Sequence, residues 1–454
     1  MRHCRGRVLR DWTCLSDLAR LQGRERCCDI GRRNFRPYAG SGVDYGIGLA
    51  CSFSSQPLCI ACLSIGGDCN AYCDRGDVTF RATARTGPFL FFARPGNTRH
   101  RPTSLKFFSS PHGYRATFHT KVKLEKTAVL GAGGWGTALS ILWATEDGEI
   151  LLWGHNPARV ARLRETRENS DYLPGVKLAE SVGLTTDLKD CAEADLIVFV
   201  TPSKALREIA GRVRDVLAND YAVLLTCTKG LEHSSGKRMS EILREIFPRH
   251  PIAVLSGPNL ATEVARGLPT ATVLACSDTQ QSANLQAYLG RPRFRIYTGD
   301  ELAGIELGGA LKNVFAIAAG ASDGLGLGEN SKAALVTRAL AEMIRLGTAM
   351  GGKLSTFYGL SGAGDLTLTC FSRASRNRHV GELLGRGRSL PEITSAMEMV
   401  AEGIPTAKSA YECARKLKID TPIIDQVYAL LYEERTAARA MQELLGRHQK
   451  AEWR

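Results

Sequence analysis

A lysine and an asparagine, Lys312 and Asn313, lie in the middle of an otherwise apolar, small-residue helical pattern at residues 305–320. Such a helix is expected to be buried on most faces, where an ammonium group is costly unless it is paired or functional. Desolvation also lowers the pKa of a buried lysine toward the range that is useful in proton transfer. We therefore predict that Lys312 has a functional role, for which proton transfer is a suitable chemistry. The alternative is a lysine whose ammonium group reaches solvent at the rim of a domain.

Other polar groups occur where ligands commonly bind. Lys229 follows an apolar strand, and ligands bind at the carboxyl ends of parallel strands. Asp365 lies in a glycine-rich stretch, which predicts a turn that brings one carboxylate close to a ligand. Ser375, Arg376 and Asn377 offer a hydroxyl, a guanidinium and an amide, which together suit a phosphate group. On composition alone, an Arg-rich loop of this kind is more often a solvated surface.

A glycine motif provides the first structural element around these groups. An apolar run at residues 128–130 is followed directly by Gly-x-Gly-x-x-Gly, and the sequence then becomes helical. Gly131 permits the tight turn, Gly133 lets the backbone approach a pyrophosphate, and Gly136 lets the helix pack closely on the strand. The phosphates are expected at the amide groups of the helix N-terminus. The motif in this context predicts a dinucleotide site, and an ordinary strand–turn–helix unit without a ligand is the alternative.

The next strand bears on the choice of dinucleotide. Residues 149–153 form an apolar strand that ends without the acidic residue that holds the ribose 2′-hydroxyl in NAD-specific folds. His155 stands there instead, with Arg159 and Arg162 one and two helical turns beyond it. Nothing at this strand end repels a 2′-phosphate, so the sequence admits NADP as well as NAD. A solvent-facing loop histidine is an equal alternative for His155.

Alternating strand and helix patterns begin near Lys126 and give way to helices beyond about Tyr297. Further strand patterns lie at residues 196–200, 222–226 and 252–255. The sequence therefore predicts an α/β Rossmann-type dinucleotide-binding domain over residues 121–300, followed by an all-α substrate and catalytic domain over residues 301–450.

Residues 1–120 differ from the rest of the chain. They hold 17 Arg, one Lys and eight acidic residues, and so contribute most of the net charge of +13. Arg-rich, acid-poor leaders that contain hydroxyl residues are typical of organelle transit peptides. Translated non-coding sequence and a disordered basic tail that touches nucleic acid are the alternatives. We expect a disordered N-terminal extension, and the nearly neutral remainder of the chain indicates no nucleic-acid partner.

The cysteines divide in the same way, with nine of fourteen in the first 73 residues and five scattered beyond. Widely separated cysteines indicate a reducing compartment without a disulfide framework. Cys59 and Cys62 form a C-x-x-C that Cys69 and Cys73 follow, but the spacing does not repeat as paired units, so we expect no metal. No uninterrupted apolar stretch is long enough to span a bilayer. We expect a soluble protein of the cytosol, or of a plastid or other organelle if the leader is a transit peptide.

An ordered series of motifs carries a family resemblance. The motifs are GAGGWGTAL (131–139), YLPGV (172–176), TPSKALRE (201–208), TKGLE (228–232), SGPNLATEVARGLPTA (256–271), ELGGALKNVFAIAAG (306–320), GLGLGENSKAALVTRALAEM (324–343), GLSGAGDLTLTC (359–370), SRNR (375–378) and VAEGIPTA (400–407). Together they closely resemble, over residues from about 126 to 445, the soluble NAD(P)-dependent glycerol-3-phosphate dehydrogenases of bacterial and plastid type. The extension lies outside the resemblance.

The resemblance implies a homodimeric enzyme with its active site between a dinucleotide-binding domain and a helical domain. It implies reversible hydride transfer between sn-glycerol 3-phosphate and dihydroxyacetone phosphate, with NADP or NAD as cofactor, supplying glycerol 3-phosphate for glycerolipid synthesis. It assigns proton transfer to Lys312. It assigns substrate contacts to Lys229, Gly257, Asn259, Lys312, Asp365, Ser375, Arg376 and Asn377. Cofactor contacts fall on Gly131, Gly133, Gly134, Trp135, Gly136, His155, Lys229, Ala261, Arg376, Val400 and Glu402.

Two positions depart from the family pattern. Gly134 stands where the family often has serine, so a hydroxyl contact to the pyrophosphate is missing. Asn259 stands where a small hydroxyl residue is common. A related two-domain dehydrogenase acting on a β-hydroxy acid or a phosphogluconate is the nearest alternative. A non-catalytic dinucleotide-sensing protein is the second, and it is expected to have lost Lys229 or Lys312, which are both present.

Overall fold

A computed structural model describes residues 45–49, 61–65, 69–74, 77–82, 124–144, 148–233, 235–397, 401–449 and 451–452. The chain divides into two compact units, Met1–Arg115 and Ala116–Arg454. In the first unit, strands β1 (Tyr45–Leu49) and β2 (Ala61–Ile65) pair in antiparallel fashion, as do β3 (Cys69–Asp74) and β4 (Asp77–Ala82). Of residues 1–120, which we expected to be disordered, the structure describes only these four strands. Most of the nine cysteines in this segment, which we expected to be incidental, lie outside the described residues.

An eight-stranded sheet forms the first half of the second unit. Its strands are β5 (Lys126–Leu130), β6 (Glu149–Trp153), β7 (Val182–Thr185), β8 (Leu196–Phe199), β9 (Val223–Thr226), β10 (Ile252–Ser256), β11 (Thr270–Cys276) and β12 (Phe294–Gly299). The spatial order is β12-β11-β10-β9-β8-β5-β6-β7, and only the β10–β11 pair is antiparallel. From β7 to β10 the order is that of a doubly wound dinucleotide fold, whose ligands bind where the strand order reverses, between β5 and β8.

Helices cover both faces of this sheet, because its central strands are apolar on both sides. Val129 packs into the core on one face, whereas Ala128 and Leu130 pack into the core on the other. The helices are α1 (Gly134–Trp143), α2 (Pro157–Thr166), α3 (Leu206–Arg214), α4 (Met239–Ile246), α5 (Ala261–Ala265) and α6 (Thr279–Leu289).

Beyond β12, the described residues of this unit form helices joined by loops and no further strand. The helices are α7 (Leu302–Gly324), α8 (Gly328–Ala349), α9 (Leu354–Phe357), α10 (Asp365–Phe371), α11 (Arg376–Gly385), α12 (Leu390–Ser395), α13 (Gly403–Leu417), α14 (Pro422–Tyr432) and α15 (Ala437–Leu445). The predicted fold class, a Rossmann-type α/β domain followed by helices, is confirmed. The change occurs between Gly299 and Leu302, and the exact domain limits remain a prediction.

Helix α7 is the centre of the helical region. It is long and apolar enough to cross a membrane by length and composition, but 83% of its most apolar window is buried inside the protein. Helix α11 crosses it so closely that a Cβ at Gly320 would lie 1.9 Å from the carbonyl oxygen of Arg378, and a Cβ at Gly381 would lie 1.9 Å from that of Ile317. These glycines bring the start of α11 against the middle of α7. The apolar stretch is therefore a core helix.

Candidate active site

Helix α7 holds Lys312 in the interior, where its side chain is only 9% exposed. Its Nζ lies 2.5 Å from Oδ1 of Asp365 and 2.8 Å from Oγ1 of Thr369. Asp365 is the first residue of α10, and Thr369 lies one turn later on the same helix face. The buried ammonium group predicted from the sequence is therefore paired with a carboxylate and a hydroxyl.

A second ammonium group reaches the same carboxylate from the sheet. Lys229 follows the carboxyl end of β9, and its Nζ lies 2.6 Å from Oδ2 of Asp365 and 2.9 Å from the carbonyl oxygen of Gly257. Gly309 of α7 faces this lysine and the end of β10: a Cβ there would lie 2.5 Å from Oγ of Ser256 and in ordinary contact, at 3.6 Å, with the Lys229 side chain. Two lysines from distant parts of the chain thus share the two oxygens of one fully buried carboxylate.

Burial lowers the pKa of Lys312 to about 8. Desolvation of the ammonium is the largest cause, the negative charge of Asp365 opposes it, and the positive charge of Lys229 adds to it. A pKa near neutrality lets one amine donate a proton in one direction of a reaction and accept it in the other.

Gly257 contacts Lys229, and Asn259 follows it two residues later. Gly257 has a φ of +149°, a conformation that favours glycine, and a Cβ there would lie 3.0 Å from Oγ1 of Thr272. Thr272 donates to the carbonyl oxygen of Ser256, so its hydroxyl can only accept from Nδ2 of Asn259, at 3.0 Å. Oδ1 of Asn259 is buried without a hydrogen-bond partner among the described residues. An acceptor is therefore free two residues beyond Gly257, whose carbonyl oxygen accepts from Lys229.

The sequence predicts a loop at residues 375–378. In the structure these residues form the start of helix α11. Ser375 caps this helix by accepting from the backbone N–H of Arg378, and Arg376 and Asn377 are its first two residues. The Asn377 amide donates to Oδ1 of Asn313 at 2.9 Å and accepts from the N–H of Gly403 at 2.8 Å. Asn377 thereby ties α11 to α7 next to Lys312. The predicted glycine-rich turn before Asp365 is also helical, a single π-helical turn at Leu360–Gly364.

Glu402 lies between the helices and the sheet. Its carboxylate accepts from the backbone N–H of Ser203 at 3.1 Å and from the Ser203 hydroxyl at 2.5 Å. Burial raises the pKa of Glu402, and the positive charge of Arg376 opposes this shift. Desolvation likewise lowers the pKa of the Arg376 guanidinium, with Glu402 opposing. Arg376 is exposed and lies within electrostatic reach of the carboxylate that links α13 to the sheet.

The glycine loop is shaped to take a dinucleotide. Gly131 has a φ of +127°, and a Cβ at Gly136 would lie 2.0 Å from the Gly131 carbonyl oxygen. Gly133 has an ordinary φ of −85°, and a Cβ there would meet nothing within 4 Å. Open space thus lies above the N-terminus of α1, where backbone N–H groups bind phosphates. The residues present suit the pyrophosphate of a nicotinamide dinucleotide.

The other expected cofactor residues are distributed around this loop. Gly134 and Trp135 are the first two residues of α1, Ala261 is the first residue of α5, and His155 is exposed at the end of β6. Val400 lies outside the described residues. Within the described part of the chain, no group of three or more His, Cys, Asp or Glu side chains is placed to hold a metal ion.

Comparisons with known proteins identify the family. The model for the N-terminal part of NAD-dependent glycerol-3-phosphate dehydrogenases matches residues 126–282, and the model for the C-terminal part matches residues 301–442. The chain belongs to this family. It is 47% identical over 332 residues to the glycerol-3-phosphate dehydrogenase [NAD(P)+] of Geobacter sp. (strain M21), which covers 72% of this chain and 99% of that relative. The enzyme of the same name from Fusobacterium nucleatum is 43% identical, with the same coverage.

A solved structure supports the same family assignment. A crystal structure of glycerol-3-phosphate dehydrogenase from Coxiella burnetii is 40% identical and has a TM-score of 0.69, covering 71% of this chain and 99% of that chain. The chain is therefore an oxidoreductase of the glycerol-3-phosphate dehydrogenase family that depends on NAD(P). The extension lies outside the residues that the two family models match.

Several residues of this dehydrogenase site were not assigned from the sequence. Thr369 contacts Lys312, Asn313 contacts Asn377, and Ser203 contacts Glu402. Asn169 donates to the carbonyl oxygen of Ala132 at 3.1 Å and thereby supports the glycine loop. Thr369 has the clearest sequence signal, because it stands four residues after Asp365 and so shares its face once that stretch is taken as a helix.

Proposed function

We propose that this chain catalyses the reversible reduction of dihydroxyacetone phosphate to sn-glycerol 3-phosphate, with NADPH or NADH as the hydride donor. The observation that supports this most strongly is the convergence of Lys229 and Lys312 on Asp365. Reduction of a ketone by hydride builds negative charge on its oxygen, and ammonium groups held in a buried site stabilise that charge.

Lys312 donates the proton to the C2 oxygen in the direction of reduction, and its neutral amine accepts the hydroxyl proton in the direction of oxidation. Its pKa of about 8 supports both roles. Asp365 orients the two ammonium groups, and Lys229 places the second positive charge near the same oxygen. The bound nicotinamide supplies the hydride chemistry.

The substrate phosphate binds at the N-terminus of α11. There Arg376 provides a guanidinium that forms paired hydrogen bonds with phosphate oxygens, and Ser375 and Asn377 flank it. Gly257 and Asn259 contact the substrate from the sheet, and the free acceptor of Asn259 supports a hydrogen bond to a substrate hydroxyl. This arrangement fixes the distance between the substrate carbon and the nicotinamide.

The cofactor binds along the carboxyl edge of the sheet. The glycine loop, with Gly134 and Trp135, takes the pyrophosphate, and His155 lies toward the adenosine ribose. Ala261, Val400 and Glu402, together with Lys229 and Arg376, complete the cofactor contacts by the family assignment.

Oxidation of NADPH or NADH, followed at 340 nm as dihydroxyacetone phosphate is added, tests the proposal. We expect oxidation of the reduced cofactor with this substrate and none with 2-oxo acids, and we expect no reduction of NADP+ or NAD+ when 6-phosphogluconate is added. Turnover with a 2-oxo acid, or binding of NADPH without turnover of any of these substrates, overturns the proposal.

The oligomeric state of this chain is also inferred from the family resemblance, and its location in the cell is inferred from its cysteines and its N-terminal extension. We infer a homodimer that supplies glycerol 3-phosphate for glycerolipid synthesis, in the cytosol or in an organelle if residues 1–120 are a transit peptide. Sedimentation velocity measures the assembly. Sequencing of the mature N-terminus from cells tests the leader, and a start near residue 121 supports removal of the extension.

A further inference from the structure

Two arginines of helix α2 share one carboxylate beside the cofactor loop. An ion pair joins Arg162 to Asp171, and Nε of Arg159 lies 3.6 Å from the same carboxylate. The Arg159 guanidinium also donates to the Tyr172 hydroxyl and lies 5.0 Å from the centroid of that ring. The side chains of Arg159 and Arg162 are 41% and 51% exposed, so both remain able to reach a ligand.

The two arginines line a cleft that reaches the glycine loop. Ala132, the residue between the first two glycines of the motif, forms one wall of the cleft, and Arg159 and Arg162 form another. Helix α2 begins directly after β6, the strand whose end faces the adenosine ribose in a dinucleotide fold. Residues 153–158 include no Asp or Glu, so no carboxylate at that end is placed to hold a ribose 2′-hydroxyl.

The charge balance of the cleft favours an anion. Glu168, the acidic residue in its wall, accepts from the N–H of Gly175 and pairs with Lys177 at 3.0 Å, which neutralises it. Asp171 then faces two guanidinium groups, which leaves one excess positive charge. Guanidinium groups form paired, charge-assisted hydrogen bonds with phosphate oxygens.

We propose that Arg159 and Arg162 form the subsite for the 2′-phosphate of NADP, and that Asp171 limits the preference for NADP over NAD. This inference rests on the proposed function. A bound 2′-phosphate draws both guanidinium groups toward itself and lies near the Asp171 carboxylate, which repels it. NAD has no 2′-phosphate, so its binding is insensitive to these three side chains.

Binding of two probes without a nicotinamide tests the subsite separately from catalysis. Isothermal titration calorimetry on the full chain compares adenosine 2′,5′-bisphosphate with adenosine 5′-monophosphate, which lacks the 2′-phosphate. Arg162→Gln is expected to weaken the bisphosphate about tenfold, the loss expected for one charge-assisted hydrogen-bonded contact, and to change the monophosphate less than about twofold. Asp171→Asn is expected to tighten the bisphosphate about threefold or more and leave the monophosphate unchanged.

Arg164→Gln is the matched control, because Arg164 lies on the same helix but donates to the Leu184 carbonyl oxygen. It is expected to leave both affinities unchanged. Equal effects of Arg162→Gln on both probes, no effect on either, or weaker bisphosphate binding in Asp171→Asn overturns the inference. The proposed function fails separately, if wild-type protein binds NADPH but does not turn over dihydroxyacetone phosphate.

Discussion

Replacement of Asp365 by Asn is expected to shift the pH dependence of catalysis. The change keeps the size of the side chain but removes the charge that both lysines share. At the observed 2.5 Å and an effective dielectric constant of about 20, the attraction between Asp365 and Lys312 has an upper limit of roughly 7 kcal/mol. The carboxamide oxygen still accepts a hydrogen bond and the site relaxes, so we expect less than half of that limit. This corresponds to a fall of about 2 units in the pKa of Lys312.

The assay is the pH profile of kcat/KM for the reduction of dihydroxyacetone phosphate. Reduction requires the ammonium form of Lys312, so the wild-type rate should be level at low pH and fall as the pH rises through about 8. In Asp365→Asn the fall should begin near pH 6. At pH 7.5 the smaller fraction of Lys312 in the ammonium form should by itself make the variant about 25-fold slower than the wild type. Near pH 5.5 this difference should shrink to about twofold or less.

This recovery at low pH distinguishes a pKa effect from a folding defect. Asp300→Asn is the control, because Asp300 pairs with Lys353 at the surface, 3.2 Å away, and its loss should leave the fall near pH 8. Oxidation of glycerol 3-phosphate requires the neutral amine of Lys312, so its rate rises with pH. In Asp365→Asn this rise should occur about 2 pH units lower than in the wild type. A fall that stays near pH 8 in Asp365→Asn would refute the role of this carboxylate.

Three further predictions concern Thr369 and two residues of the glycine loop. Thr369→Val removes the hydroxyl 2.8 Å from the Lys312 ammonium, and we expect kcat to fall about tenfold with KM for the substrate nearly unchanged, as steady-state kinetics will show. In the glycine loop, Gly133→Ala should keep the melting temperature but weaken NADPH binding, because its Cβ would occupy open space that the pyrophosphate needs. Gly136→Ala should instead destabilise the fold by about 1–3 kcal/mol, because its Cβ would lie 2.0 Å from the Gly131 carbonyl oxygen. Equal melting temperatures for the two glycine variants would contradict this difference.

The sequence predicts the parts of the fold whose patterns are local. Strand β6 occupies the predicted residues, because an apolar run bounded by turn residues defines both of its ends. Strands β7, β11 and β12 were not predicted. Strand β7 has only four residues, and β12 alternates between buried and exposed positions at the edge of the sheet, so neither shows a continuous apolar run.

The residues by themselves predicted separate groups, and only the family resemblance implied that Lys229, Lys312 and Asp365 meet at one substrate. Lys312 was recognisable because an ammonium in an apolar helix is costly, but its partner Asp365 is 53 residues away and the partnership of Asp365 with Lys229 spans 136 residues. Glu402 was expected at the cofactor, and the structure pairs it with Ser203, 199 residues away. No local pattern indicates such pairs, because they arise only when α7, α10 and α13 pack against the sheet.

Replacement of Lys312 by Met tests the central claim most directly. Methionine preserves most of the buried stem but has no ammonium group, and Lys312 does not line the glycine loop. Stopped-flow measurement of a single turnover, with bound NADPH and saturating dihydroxyacetone phosphate, should show hydride transfer slowed by about 10³-fold or more. NADPH affinity, measured by fluorescence titration, should change by less than about threefold. Hydride transfer at a rate comparable to the wild type, with normal NADPH binding, would contradict the assignment of Lys312 as the proton-transfer residue.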